Sequence, residues 1–338
     1  MFTERTSVGL DVHARSVVAT AIDTTTGELF KERLIPSNEI VLGWLARLPG
    51  PVAVAYEAGP TGFGLARALA NAGVRCEVAA PSKLSRPGGD RVKTDARDAL
   101  QLAKLLRHDD ITGVRVPTVT QEAARDLVRA REDVRGDLMR ARHRVSKLLL
   151  RHGHVYYGGQ TWTAKHHAWL HRIRFEEVGT GAAYQADLEA IEFAVARRDR
   201  LDALITQMAA DSELTAVTRR LCCLRGISTL TGFALAVELG DWHRFTGHSI
   251  GAYLGLVPSE HSSGQSRRQG SITKTGNSHA RRLLIEAAWH HKARYTVGAV
   301  LRARWEQAPE AARVRAHLAN TAIARELAGW CWSLAVLE

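Results

Sequence analysis

The stretch "SVGLDVHARSVVATAID", residues 7–23, decides how the N-terminal part of the chain is read. Val8, Leu10 and Val12 alternate with Gly9 and Asp11, and Val17, Val18, Ala19, Ala21 and Ile22 resume the apolar pattern after a short break. That pattern predicts two β-strands, with Asp11 standing among apolar neighbours. An unpaired carboxylate in such surroundings is costly or titrates to neutrality. Three arrangements relieve it: a basic partner, exposure at a strand end, or a metal ion.

Outward from this stretch, residues 7–11, 15–22 and 28–35 predict three strands, with "DTTTGE" at 23–28 closing a hairpin. A helix is expected near 38–48, a strand in "PVAVAYE" at 51–57, a helix over 62–71 and a strand in "VRCEVAA" at 74–80. A further helix opens at about Thr94 in "KTDARDALQLAKLLRH", where a hydroxyl N-cap precedes acidic residues in the first turn. A meander followed by alternating helices and strands is an α/β order with a mixed sheet. Residues 120–152 and 183–210 then read as long charged helices with apolar stripes, such as Leu127, Val134, Leu138 and Val145 in the first. Helices of this kind pair as an antiparallel arm or with the pair of another subunit, so a homo-oligomer, dimer or tetramer, is expected. From 217 the chain reads as mostly helical, with a Gly-rich basic loop at 255–277 and helices near 278–296 and 312–336. The boundaries drawn from this pass are 1–115 for the α/β domain, 116–212 for the arm and 213–338 for a mostly α C-terminal domain.

The 338 residues carry 46 Lys and Arg against 35 Asp and Glu, a formal charge of +11. The excess is uneven: residues 261–304 hold 9 basic and 1 acidic side chain, whereas residues 1–110 hold 14 and 13. The later segment is therefore the expected polyanion contact. No apolar run approaches the roughly 20 residues of a membrane span, and no export signal opens the chain. Cys76, Cys222, Cys223 and Cys331 suggest neither a disulfide framework nor a zinc site. A soluble protein of the reducing cytoplasm, without a membrane partner, is the expectation.

Three features could carry chemistry. Glu57 ends the strand "VAVAYE", and Asp95 and Asp98 share one face of their helix. If the Glu57 strand lies beside the first strand, four carboxylates converge with Asp11. Such a group repels itself unless a divalent cation separates its members, and oxygen donors suit Mg²⁺ or Mn²⁺. The plainer reading is that Asp95 and Asp98 complement a helix N-terminus and Glu57 caps a strand. In the second feature, Ser262, Ser263 and Gly264 are followed by Arg267, Arg268, Lys274, Arg281 and Arg282. A serine there is either a nucleophile helped by cations or a flexible phosphate contact, and His261 is a candidate proton shuttle. The third is the turn Gly226-Ile227-Ser228, which either offers backbone N–H groups to a phosphate or is an ordinary helical hairpin. Trp242, Trp289 and Trp305 are expected in the core or an interface.

The order Asp11, Glu57, Asp95, Asp98, joined to "GLVPSEHSSG", "GSITKTGN" and "RRLL", resembles the DEDD transposases of insertion sequences, the Piv-like serine recombinases guided by a bridge RNA. The resemblance covers nearly the whole chain. It implies a RuvC-like, ribonuclease-H-type N-terminal domain, a C-terminal transposase domain, donor and target DNA as substrates, and a guide RNA. It also implies that the four acids bind Mg²⁺ or Mn²⁺ and that Ser263 forms a covalent phosphoserine link with DNA. The "LRGIS" turn is similar to the family's helix-hairpin-helix, though Ser228 stands where a second glycine is usual. One competing reading is a RuvC-like junction nuclease using metal-activated water. An actin-like ATPase or sugar kinase would want a glycine-rich phosphate turn after the Asp, and "DVHARS" supplies none.

Overall fold

The computed structural model describes residues 3–84, 94–264, 266, 268–291 and 312–337. The chain divides into two compact units, residues 1–118 and 119–338. Arg267 and Trp305, named above, lie outside the described residues, as do positions 292–296 at the end of one expected helix.

In the first unit, strands β1 (Thr6–Val12), β2 (Val17–Asp23), β3 (Leu29–Leu34), β4 (Val52–Glu57) and β5 (Arg75–Ala79) form one sheet. Its order is β3-β2-β1-β4-β5. The first three strands pair antiparallel and β1, β4 and β5 pair parallel, as a meander followed by crossovers requires. Asp23 closes the β2–β3 hairpin by accepting hydrogen bonds from the N–H groups of Thr25 (2.8 Å) and Thr26 (3.4 Å).

Alternation gives this sheet two different faces. Val8, Leu10, Val54 and Tyr56 are buried in one cluster with Val41, Trp44 and Leu45 of α1 (Asn38–Leu45) and Ala66 and Leu69 of α2 (Gly64–Asn71). The other face carries small side chains, Ala53, Ala55 and Ala79, beneath Leu102 and Leu106 of α3 (Asp95–Arg107). Gly9 belongs to this second face. A Cβ on Gly9 would lie 1.9 Å from the Ala99 carbonyl oxygen and 2.6 Å from the Ala103 nitrogen, so α3 rests directly on the β1 backbone. No residue with a side chain fits there without moving the helix.

The second unit contains α4 (Val119–Arg151), α5 (Ala164–Leu170), α6 (Val178–Ala210), α7 (Thr215–Leu221), α8 (Thr229–Leu239), α9 (Ser249–Tyr253), strands β6 (Pro258–Glu260) and β7 (Gln269–Ile272), α10 (Ser278–Ala288) and α11 (Ala312–Ala335). Helices α4 and α6 run antiparallel, with Arg131 paired to Asp202 and, further along, Arg144 paired to Asp187, both at 2.7 Å. Their outer ends enclose Leu138, Val145, Tyr184, Leu188 and Ile191 together with Leu170 of α5. Their inner ends contribute Ala124, Val128, Ile205 and Ala209 to the main core of the unit, around Phe233, Leu235, Leu284 and Leu327. Trp242 is buried in that core, and Trp289 is half-buried, edge-on to His317 at 5.6 Å.

One expectation is corrected here: the segment read as a Gly-rich loop contains the antiparallel hairpin β6–β7. Apart from Pro258 and Ile272 its strand residues are polar or glycine, and none is buried, so they show no apolar alternation to signal a strand. No helix among the described residues is long and apolar enough to cross a membrane.

Candidate active site

Strand register brings the first acids together. Leu10 of β1 pairs with Tyr56 of β4, so Asp11 and Glu57, the next residue of each strand, lie side by side. Both follow the alternation of Gly9 and Ala55 onto the face that α3 covers. Helix α3 starts at that edge, where the Thr94 hydroxyl caps it by accepting from the Arg97 N–H at 3.4 Å. Its first turn carries Asp95 and Asp98, and the contact at Gly9 sets how near they come to the sheet.

The tightest cluster holds a residue absent from the sequence reading. Ligand atoms of Asp11, His13 and Asp95 all lie within 4.8 Å of one another, and His13 Nε2 stands 3.1 Å from Asp11 Oδ2. Glu57 flanks this trio on the neighbouring strand, and Asp98 follows one turn along α3. His13 could have been found as the residue two positions after Asp11, just past the end of β1 and within reach of its carboxylate. Burial pushes the Asp11 carboxyl above the usual range; His13 opposes the shift, and the charges of Asp95 and Asp98 add to it. A half-buried carboxylate facing two more is the arrangement a divalent cation relieves, and the donor set fits one.

The serine lies in the other unit, at the tip of the β6–β7 hairpin. Ser263 and Ser266 exchange backbone hydrogen bonds of 3.1 and 3.0 Å, and Gly264 between them has a φ of 58°. Ser263 is exposed. Ser262 Oγ donates to Glu260 Oε1 at 2.8 Å. At the hairpin base the chain crosses itself: a Cβ on Gly276 would lie 1.9 Å from the Tyr253 carbonyl oxygen, and one on Gly255 would lie 2.4 Å from the Thr275 nitrogen. These close approaches account for the glycines in "GLVPSE" and "KTGN".

The basic residues named from sequence separate into two groups. Arg268 and Lys274 are exposed on the hairpin. Arg281 Nη1 instead donates to the carbonyls of Leu254 (2.9 Å) and Thr275 (2.7 Å), tying the hairpin base together. Arg282 pairs with Glu132 and, at 2.6 Å, with Glu286. Gly226, with φ 83°, sits where a Cβ would meet the Ala287 carbonyl oxygen at 2.5 Å, so α10 backs its turn. The Ile227 N–H donates to Leu224 and the Ser228 hydroxyl caps α8.

A buried network escaped the sequence reading. The Glu238 side chain is 1% exposed and accepts from Arg129 Nε and Nη2 (3.1 Å each) and Asn277 Nδ2 (2.7 Å), with His279 Nδ1 at 3.2 Å. It joins α4 and α8 to the start of α10. Its signal was the one Asp11 gave, a lone carboxylate in the apolar run "FALAVEL". Burial pushes the Glu238 carboxyl up, but the hydrogen bonds from His279, Arg129 and Asn277 and the Arg129 charge hold it at about 2. A depressed carboxyl stabilises the fold above its unfolded value, here 4.5, and that contribution disappears as pH falls towards 2. Urea denaturation at stepped pH is expected to show the second unit losing about 3 kcal/mol across this window. Glu238→Gln should flatten the slope, and an unchanged slope would refute the assignment.

Residues 8–153 match the DEDD transposase family of the IS110 type, and residues 218–306 match the transposase IS116/IS110/IS902 family. A putative transposase y4qE of Sinorhizobium fredii is 37% identical over 302 residues, covering 83% of this chain and 74% of that protein. The transposase for insertion sequence element IS1533 of Leptospira borgpetersenii is 29% identical, covering 88% of each chain. A probable family 20 transposase of Pseudomonas aeruginosa is 28% identical over 83% of this chain and 82% of its own. The acids at the ends of β1 and β4 and in the first turn of α3 lie within the first matched region, and the serine hairpin lies within the second. The chain therefore belongs to the DEDD transposases of the IS110 family, enzymes that cut DNA and transfer its strands.

Proposed function

We propose that this transposase cuts DNA at a divalent-cation site formed by Asp11, Glu57, Asp95 and Asp98, and links itself to the cut strand through Ser263. The convergence of Asp11 and Asp95 within 4.8 Å, with Glu57 in register beside them, is the observation that carries this reading. The mixed sheet with α3 across its acidic edge fits a RuvC-like, ribonuclease-H-type domain. Mg²⁺ or Mn²⁺, when bound, supplies charge stabilisation to a scissile phosphate. The protein's own part is to aim the carboxylates and to bring a hydroxyl in line. Ser263 Oγ forms the bond to phosphorus, the bond to one deoxyribose oxygen breaks, and that oxygen leaves as a hydroxyl with the serine proton.

Exposed Arg268, close to this serine near the hairpin tip, and exposed Lys274, at the hairpin base, hold phosphates of donor or target DNA, with Arg267 beside Arg268 in sequence. Arg281 and Arg282 act there indirectly, by fixing the hairpin base and α10, and the Gly226 turn contributes a backbone contact. We assign residues 1–115 to cleavage, 116–212 to an arm that joins copies of the chain, and 213–338 to the serine and its DNA. A structured guide RNA, which the family resemblance implies, selects the two DNA partners.

The reaction of the unaltered chain tests this proposal. End-labelled donor and target DNA, with RNA transcribed from the flanking non-coding region, should give protein-linked DNA on denaturing gels in Mg²⁺. Chelation should abolish the product and Mn²⁺ should restore it. Cleavage that persists in chelator would overturn the metal site, and metal-dependent cutting that never yields a protein-linked strand would replace the serine with activated water.

A further inference from the structure

The outer end of the α4–α6 pair differs from the rest of the chain in composition. From residue 138 to residue 175 there are 8 Lys and Arg, 6 His and no Asp or Glu. Arg140, Arg144, Lys147 and Arg151 follow one another at spacings of four, three and four along α4, which places them in a single stripe. Arg140 and Arg144 are paired, to Asp137 and Asp187. Lys147 and Arg151, nearest the tip, make no ion pair with the described residues and are exposed, as are Lys165 on α5 and Arg172 just beyond it.

The loop between α4 and α5 presents an aromatic ring among these cations. Tyr156 packs inward, its ring 4.7 Å from His166 and 5.2 Å from Trp169, and so anchors the loop. The next residue, Tyr157, is 90% exposed, the largest exposure among the large hydrophobic side chains described. Arg142 stacks over Trp162 at 4.8 Å, a guanidinium–ring contact that also ties the loop to α4. The apolar cluster of Leu148, Leu170, Tyr184 and Leu188 supports the whole end. Tyr157 thus stands beside an anchored residue, in a segment whose exposed cations at Lys147, Arg151, Lys165 and Arg172 are unpaired among the described residues.

An exposed ring at the same end of the arm as free, exposed cations matches what a single-stranded nucleic acid requires: a face on which a base stacks, and charges for the phosphates on either side. A folded duplex offers no base face, and a second copy of this positively charged tip would be repelled. We propose that the arm tip is a separate nucleic-acid site, in which one unpaired base stacks on Tyr157 and the flanking phosphates lie on Lys147, Arg151, Lys165 and Arg172. None of these residues takes part in the cleavage proposed above, so this site can fail or stand independently of that reading.

The test uses the full-length chain and fluorescein-labelled 12-nucleotide single strands of RNA and of DNA, with a 12-base-pair duplex as comparison. Tyr157→Ala should weaken single-strand binding about tenfold, which is within what stacking of one base supplies, and Tyr157→Trp should restore it. Duplex affinity should be unchanged in both. Combining Lys147→Gln with Arg151→Gln should make the salt dependence of single-strand binding shallower by about 1.4, at roughly 0.7 per phosphate contact. Strands carrying 5-iodouracil should cross-link under light to the peptide containing Tyr157, and whichever of RNA and DNA does so identifies the polymer. Unchanged single-strand affinity in Tyr157→Ala, or cross-links that map elsewhere, would overturn the site. So would loss of binding to phosphatidylserine–phosphatidylcholine vesicles in the Lys147 and Arg151 variant while its strand binding stayed intact, since the tip would then be a membrane contact.

Discussion

Ser263→Ala is expected to abolish the covalent protein–DNA adduct and strand exchange, and Ser262→Ala to retain both. The two serines are adjacent, exposed and alike in composition, yet the hairpin treats them differently. Ser263 sits where the backbone doubles back against Ser266, so its position is set by the tightest part of the turn. Ser262 has its hydroxyl drawn to Glu260 at 2.8 Å. That hydrogen bond can be read in another way, because a carboxylate beside a hydroxyl can also serve as its base. The rival assignment makes Ser262 the nucleophile and Glu260 its activator, and it predicts the reverse result. Denaturing gels of stalled reactions separate the two: an adduct that survives in Ser263→Ala and vanishes in Ser262→Ala would move the chemistry by one residue. Loss of the adduct in both would point to damage to the hairpin, which the amide cross-strand pairing in NMR spectra of each variant would reveal.

The second large effect is expected at a residue with no chemistry of its own. Gly9→Ala places a methyl group 1.9 Å from the Ala99 carbonyl oxygen, with the Ala103 nitrogen at 2.6 Å, and both obstacles are helix backbone. Helix α3 must move away from β1, carrying Asp95 and Asp98 with it. The cost of such overpacking is on the order of 3 kcal/mol, which lowers the melting temperature of a unit of this size by about 10 °C. Cleavage should be lost even at temperatures where the fold persists, because the carboxylates no longer converge. Asp11→Asn provides the contrast: cleavage falls below detection while nucleic-acid binding and melting stay near those of the unaltered chain, since the basic surface is untouched. Gly43→Ala provides the control. Gly43 lies inside α1 with nothing within 4 Å of its Cβ position, and alanine there should stabilise the helix by roughly 0.5–1 kcal/mol. A Gly9→Ala protein that melts and cleaves normally would show that α3 does not set the site.

Much of the first unit was legible because its elements announce themselves locally. The period-two alternation of "SVGLDV" and "VAVAYE", the turn residues of "DTTTGE" and the Thr94 cap each depend on a few neighbouring residues, and the structure has strands, hairpin and helix where they were expected. The charge of Asp11 in an apolar strand marked the site for the same reason: burial of a carboxylate is costly wherever the strand is placed. The long helices were equally readable, since an apolar stripe over more than four turns admits few other conformations.

What remained hidden depends on contacts between distant segments. His13 joins Asp11 and Asp95 only because β1 ends where α3 begins, and nothing local to "DVHARS" states that meeting. The β6–β7 hairpin has no apolar face, so its pairing follows from the crossing at Gly255 and Gly276 and not from alternation. Arg281 and Arg282 looked like surface cations in a basic segment; the Glu286 partner of Arg282 lies one helical turn along, but tertiary packing alone turned the two onto Leu254, Thr275 and Glu132. Charge content can be counted along a chain, whereas the partner of each charge is chosen by the fold. The sequence by itself determined the elements, their order and the presence of acids in apolar strands, all properties of short-range sterics and burial. The tertiary structure decided which carboxylates meet, which guanidiniums are turned inward, and where the serine hairpin closes at Gly255 and Gly276, because each is a relation between residues well separated in the chain.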